Sequence, residues 1–404
     1  MELLIPAGNM NKLKSAVQYG ANAVYLSGQN FGLREASDNF SLEQLREAVE
    51  YCHAHQVKSY ITLNGFLHDE DILHVKDYVN FLNQIKADAL IISDLGLISF
   101  ISEFNLIPIH LSTQASCLNS SAGQFWKKHG VKRLILGRET SLAEASEIKR
   151  DTGLEVELFI HGSMCMSYSG NCTISNFTQG RDSNRGGCAQ SCRFEYSFKE
   201  VNEKNNEDKF SLEKSKSYFM SSKDLNGIDL IPEYYNYKID SVKVEGRMKS
   251  EFYAGLTAKA YREAIDLVGA GKTMEFNQRL PILNNYLNKY SHRSYTHASL
   301  LEKAQVDSIY DERESEVEGQ HNYVGKSLGL YKDNYLMMSV KKKFTIGCLL
   351  EFHLFSGENV TTKVGEILDL DLERIEKPKP SSVVLIPLND KIPNDVLISL
   401  VHGG

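Results

Sequence analysis

No stretch of this chain approaches the roughly 18 consecutive apolar residues that a membrane-spanning helix needs. The opening residues, "MELLIPAGNM", lack the basic start and apolar core of a secretory signal. These absences predict a cytosolic protein, and disulfides are rare in that reducing compartment. A surplus of positive charge is missing as well. Lys and Arg number 45 against 52 Asp and Glu, a formal net charge of −7. A nucleic-acid partner would therefore have to meet a local basic patch, because phosphates demand local neutralisation. The chain also has no G-x-S-x-G, H-E-x-x-H or P-loop motif. That removes the familiar hydrolase, zinc-protease and phosphate-loop sites.

What is present is an alternation. Eight short runs rich in Val, Ile and Leu read as buried parallel strands: 2–6, 22–26, 57–63, 88–92, 107–112, 132–136, 154–160 and 239–245. Amphipathic stretches separate them, at 41–56, 69–86, 94–104, 120–130 and 141–153, with another at 250–271. Ser41 and Gln44 have the spacing of a capping box. Eight such units predict an α/β fold, a (β/α)8 TIM-like barrel over 1–271, with a doubly wound open sheet as the alternative. The connection after strand seven, 161–238, is a long cysteine-bearing insertion at the barrel face that carries chemistry in this architecture. Its polar piece 199–217 reads as a solvated excursion. Residues 272–321 read as a helical or linker segment. From 322 to 404, short strands with Gly-containing turns predict a small C-terminal β-barrel domain.

Seven cysteines are present, and four fall between positions 165 and 192, spaced Cys165-x6-Cys172-x15-Cys188-x3-Cys192. Four thiolates suit a structural zinc ion or a 4Fe–4S cluster, and the spacing leaves both open. The competing view, unrelated buried thiols, fits poorly with the surrounding "SYSGNC" and "NRGGC", which are loop-like. Cys52, Cys117 and Cys348 sit in apolar contexts and read as packing residues. Arg181, Arg185 and Arg193 crowd the cluster, where they would stabilise thiolates or bind an anion. Strand ends add Asn64, Asp94, Gln114, Arg138, Glu139, Glu157 and His161. The segment "KVEGRMKS" adds Lys243, Glu245, Arg247 and Lys249 as a dense polar group, with arginine suited to grip an anionic substrate.

The stretch "ELFIHGSMCMSYSGNCTIS" (157–175) resembles the signature of peptidase family U-32, the collagenase-like peptidases. "LSTQAS" (111–116), "SSKDL" (221–225) and "VEGRMKS" (244–250) resemble further segments of that family, in the same order. The run 169–196 is similar to the family's tRNA-hydroxylating branch in Cys172, Arg181, Asp182, Asn184, Gly186, Cys188, Cys192 and Arg193. That resemblance implies an RNA hydroxylase with tRNA as partner, forming 5-hydroxyuridine at the wobble position without oxygen. It implies prephenate as the small anionic co-substrate and a 4Fe–4S cluster on Cys165, Cys172, Cys188 and Cys192, zinc being the alternative. Glu245, Arg247 and His161 become the catalytic candidates. Arg181, Arg185, Arg193, Lys249, Gln114 and Asn64 become the substrate-binding ones, and Lys341, Lys342 and Lys343 a possible phosphate contact. The family name keeps a second expectation, a peptidase using a cysteine nucleophile beside His161 or a zinc-bound water.

Overall fold

The computed structural model describes residues 1–32, 38–197, 216–305, 310, 322–332, 334–388 and 391–401. Seven parallel strands run in order: β1 (Glu2–Pro6), β2 (Ala23–Leu26), β3 (Lys58–Leu63), β4 (Ala89–Ile92), β5 (Ile109–Leu111), β6 (Val131–Ile135) and β7 (Glu155–Ser163). Two-residue strands β8 (Tyr196–Ser197) and β9 (Lys216–Ser217) pair antiparallel, and β10 (Asp224–Asn226) follows. The barrel closes through β11 (Ser241–Val244), which pairs in parallel with both β1 and β7. All eight expected strands are therefore present in a closed parallel barrel. Their near-complete burial explains why most of them read as short runs rich in Val, Ile and Leu.

The chain divides into two compact units. Unit 1 comprises Met1–Asn9, Ala23–Met248 and His292–Glu318, and unit 2 comprises Met10–Asn22, Lys249–Ser291 and Gly319–Gly404. Unit 1 holds the barrel strands and the helices α2 (Leu42–Ala54), α3 (Asp69–Gln84), α4 (Leu95–Ile101), α5 (Ser120–Lys128), α6 (Leu142–Thr152), α7 (Ile174–Gln179) and α8 (Ile231–Asn236). The capping box at Ser41 forms: its side chain accepts from Gln44 N at 3.2 Å and its own N–H donates to Gln44 Oε1 at 2.9 Å. Ser141 and Glu144 repeat the device at α6.

Unit 2 contains α1 (Met10–Gln18), α9 (Glu251–Gly269), α10 (Thr273–Leu287) and a six-stranded antiparallel sheet. Its strands are β13 (Tyr323–Tyr331), β14 (Tyr335–Val340), β15 (Leu349–His353), β16 (Val360–Lys363), β17 (Val383–Pro387) and β18 (Leu397–Leu400), in the order β16-β15-β18-β13-β14-β17, a half-barrel. Val324, Leu336, Met338, Leu350, Phe352 and Ile398 fill its core. Tyr19 ties α1 to this sheet: its hydroxyl donates to the His353 carbonyl at 2.5 Å and accepts from Leu397 N at 2.9 Å. The expected polar excursion at 199–217 and much of the segment after 305 lie outside the described residues.

The barrel interior carries charge where aliphatic layers are usual. Glu157 has no exposed surface and stands 3.1 Å from Arg133 and 3.3 Å from Lys243. Arg133 also pairs with Glu2, and with Glu155 at 2.7 Å, while Tyr60 donates to Glu2 at 2.9 Å. Burial alone would lower the Arg133 pKa, but Glu157 and Glu2 carry it above the ordinary value. Burial pushes Lys243 down, against the pull of Glu157. Arg133→Met leaves buried carboxylates short of a counter-ion, at an expected cost of about 3–5 kcal/mol. The midpoint of chemical denaturation measures it, and a loss below about 1 kcal/mol, the worth of an exposed pair, would contradict this role.

Candidate active site at the barrel mouth

The C-terminal ends of the strands bring polar side chains together. Tyr25, on β2, donates to the Val244 carbonyl at 3.1 Å and to Glu245 Oε2 at 3.4 Å. Arg138, after β6, lies 3.8 Å from the same carboxylate and 3.9 Å from the Phe159 ring centroid. The Glu245 N–H donates to the His161 carbonyl at 2.8 Å, which ties one catalytic candidate to the strand bearing another. Arg247 is buried, with its guanidinium 3.4 Å from both Thr62 Oγ1 and Asn39 Oδ1. Asn64 donates to Gln114 Oε1 at 3.4 Å, and Ser112 donates to the same oxygen.

His161 occupies a junction in β7. It pairs with Val244 of β11 in parallel and with Asn226 of β10 antiparallel. Gly162 follows in the same strand with φ 99° and pairs with Leu225 of β10. The His161 ring is buried and sits 5.6 Å from that of Tyr295.

The cysteine-bearing excursion is fastened to the loops after β3, β5 and β6. Glu139 accepts from the Ser169 backbone N–H at 2.7 Å and from its hydroxyl at 2.8 Å. Asn171 donates to Ser116 at 3.0 Å. Arg185 donates to the Phe66 carbonyl at 2.8 Å and to Asp71 at 2.7 Å. Within the excursion, Asn184 bridges both backbone groups of Cys172, accepting at 3.1 Å and donating at 3.0 Å. Gly187 precedes Cys188 where a Cβ would meet the Asp182 carbonyl oxygen at 2.7 Å, so a side chain there would displace Cys188.

All four clustered cysteines are free and partly buried. Burial pushes the Cys192 thiol up, Arg193 pulls it back, and negative charge at Cys165, Cys188 and Cys172 adds to the rise. The Ile174 N–H also points at Cys172 Sγ, at 3.4 Å. Among the described residues, no three His, Cys, Asp or Glu side chains are arranged around a single metal ion. Cys52 and Cys117 are buried, with thiols pushed up by burial to about 12 and about 11, as packing residues should be.

The expected site residues therefore fall into three places. Glu245, Arg247, His161, Asn64 and Gln114 lie at the ends of barrel strands. Arg181, Arg185, Arg193 and the cysteines lie on the excursion, where Arg181 is exposed and Arg185 is engaged with Asp71. Lys249 belongs to unit 2 and donates there to the Ser291 carbonyl at 3.0 Å. Sequence reasoning did not single out Tyr25, Asn39 or Thr62. The signal for Tyr25 and Thr62 was their place near the mouth end of a strand, whereas Asn39 has no local signal.

With this geometry in hand, the comparisons decide the family. The model for "Peptidase family U32" matches residues 8–309. The chain belongs to peptidase family U32. Its U32 relatives carry different names. The "tRNA hydroxylation protein P1" of Bacillus subtilis is 36% identical over 397 residues, covering 97% of this chain and 92% of that protein. The "23S rRNA 5-hydroxycytidine C2501 synthase" of Escherichia coli is 32% identical over 268 residues, 66% of this chain and 40% of that one. A "Collagenase" of Porphyromonas gingivalis is 26% identical over 432 residues, covering 98% and 97%.

The Arg185 latch yields a test. Its hydrogen bond holds the Asp71 carboxyl below the ordinary value, against the opposing effect of partial burial. The latch is thus intact at neutral pH and is lost as pH falls through that lowered value. Asp71→Asn is expected to speed protease cleavage between 172 and 192 at pH 7, and acid to do the same in the unaltered protein. Equal cleavage rates for the two proteins at pH 7 would contradict the latch.

Proposed function

We propose that this protein hydroxylates tRNA, at carbon 5 of the wobble uridine, with prephenate as co-substrate and a 4Fe–4S cluster on Cys165, Cys172, Cys188 and Cys192. The observation that carries the reading is the gathering of four free thiols on an excursion clamped to the mouth of the barrel. The names of the Bacillus subtilis and Escherichia coli relatives support RNA hydroxylation. The donor set fits the group. Four thiolates match the ligand count of such a cluster. All four thiols are free and partly buried, so each would be available as a ligand. Bound there, the cluster supplies redox or Lewis-acid chemistry.

The chain's own residues would divide the remaining work. Arg247 orients a carboxylate of the co-substrate from its seat beside Thr62 and Asn39. Glu245, between the Tyr25 hydroxyl and Arg138, is placed to hold or accept a proton at Oε2. Asn64 and Gln114 present amides for hydrogen bonds to a base edge. The buried Tyr25, Phe159 and Val244 exclude water beneath them. Peptidase chemistry is the reading that the family name and the Porphyromonas gingivalis relative support. It would need a cysteine nucleophile with His161 as its base.

The test is nucleoside analysis of total tRNA from cells lacking the gene and carrying it back as wild type, Cys172→Ser or Arg247→Lys. The wild type is expected to restore 5-hydroxyuridine derivatives and Cys172→Ser to leave them absent. Arg247→Lys is expected to lower them by about tenfold or more, the worth of one charged hydrogen bond. Unchanged nucleosides in the deletion, together with cleavage of gelatin by the purified protein, would replace this reading with the peptidase.

A further inference from the structure

Unit 2 contains a cavity of about 420 Å³, the size of a small-ligand pocket. Four of its eleven lining residues are lysines, Lys249, Lys289, Lys341 and Lys342, and none carries a carboxylate. Carboxylates from outside the lining approach Lys289 and Lys341. Glu351 takes Lys289 at 2.5 Å. Glu251 lies 3.9 Å from Lys341, but also 3.9 Å from Lys326, and it accepts the Tyr323 hydroxyl at 2.8 Å. One carboxylate is thus shared between two ammonium groups and a phenol. The Lys341 side chain remains 48% exposed, free to swing toward a ligand.

Beneath the lysines the wall is aromatic and held in place. Phe252 stacks on Tyr323 with centroids 4.8 Å apart and planes at 21°. Tyr253 meets Tyr290 edge-on at 4.7 Å, and the Tyr290 hydroxyl is hydrogen-bonded to Thr257 at 2.7 Å. Lys249 lies 5.6 Å from the Tyr253 ring centroid. Tyr323 is the partly exposed ring of this wall, and an aromatic surface below ammonium groups matches a ligand with a flat apolar part and a negative one. Single-stranded nucleic acid has that chemistry: bases stack on aromatic side chains while the backbone follows positive charge. The net charge of −7 makes such a local patch necessary for any phosphate partner.

We infer that this cavity holds one phosphate-linked nucleotide of the RNA substrate, a second contact outside the barrel mouth. The inference rests on the tRNA reading and adds a residue-level docking point to it. The experiment measures binding of an anticodon stem-loop transcript to the full-length protein at several salt concentrations. It compares wild type, Lys341→Gln/Lys342→Gln and Lys341→Arg/Lys342→Arg. The double Gln variant is expected to bind about tenfold more weakly at 0.15 M salt, with the slope of log affinity against log salt reduced by about 1.4. The Arg variant retains both, which separates lost charge from a damaged fold. Wild type and Gln variant binding alike, with equal slopes, would overturn the cavity and leave the tRNA reading intact. A wild-type protein that fails to bind the transcript would overturn both.

Discussion

Glu157 has no exposed surface, and a charge in that position is tolerated only because Arg133 and Lys243 reach it from the neighbouring strands β6 and β11. The demand propagates. Arg133 must be surrounded by acids, so Glu2 at the start of β1 and Glu155 on β7 turn toward it. Lys243 must lie on β11 in register with Phe159, one residue after Leu158 meets Val242. The charged core thus links the first strand, the last strand and the strand that launches the excursion. A one-residue slip of β11 would turn Lys243 away from the barrel centre. A shift in this core would therefore move β7, and with it His161 and the path to the cysteines.

The mouth of the barrel is built in the same way, from side chains shared between elements. Glu245 serves Tyr25 and Arg138, and its backbone serves His161. The excursion adds its own ties through Glu139, Ser116 and Asp71. Three separate loops therefore fix the segment that carries the thiols. That arrangement is what a pre-organised centre requires, because groups that must act together need their supporting contacts set before the substrate arrives.

The barrel was legible because its strands are buried on both sides and so appear as apolar runs of the right length. The capping box at Ser41 was legible because its geometry is local. Four other features were not. Strand β18 sits near the centre of the half-barrel, yet "LISL" is only four residues long and offers no turn-bounded alternation of its own. Strand β10, Asp224–Asn226, is a strand only because β7 and the two-residue strand β12 (Tyr295–Thr296) flank it. The pairing of Arg185 with Asp71 joins positions 114 residues apart, and no local pattern announces it. The same holds for "KVEGRMKS", which reads as one constellation although the two compact units part between Met248 and Lys249. The cysteine spacing left the metal open, because zinc and iron–sulfur sites can both take four thiolates.

The central claim is that these four thiols form one iron–sulfur centre. The most direct measurement is the iron, acid-labile sulfide and zinc content of the full-length protein purified without oxygen, alongside the Cys172→Ser variant. The account predicts iron and sulfide in equal amounts, no zinc, and loss of both iron and sulfide in the variant. Zinc alone, or iron that the variant retains in full, would contradict it.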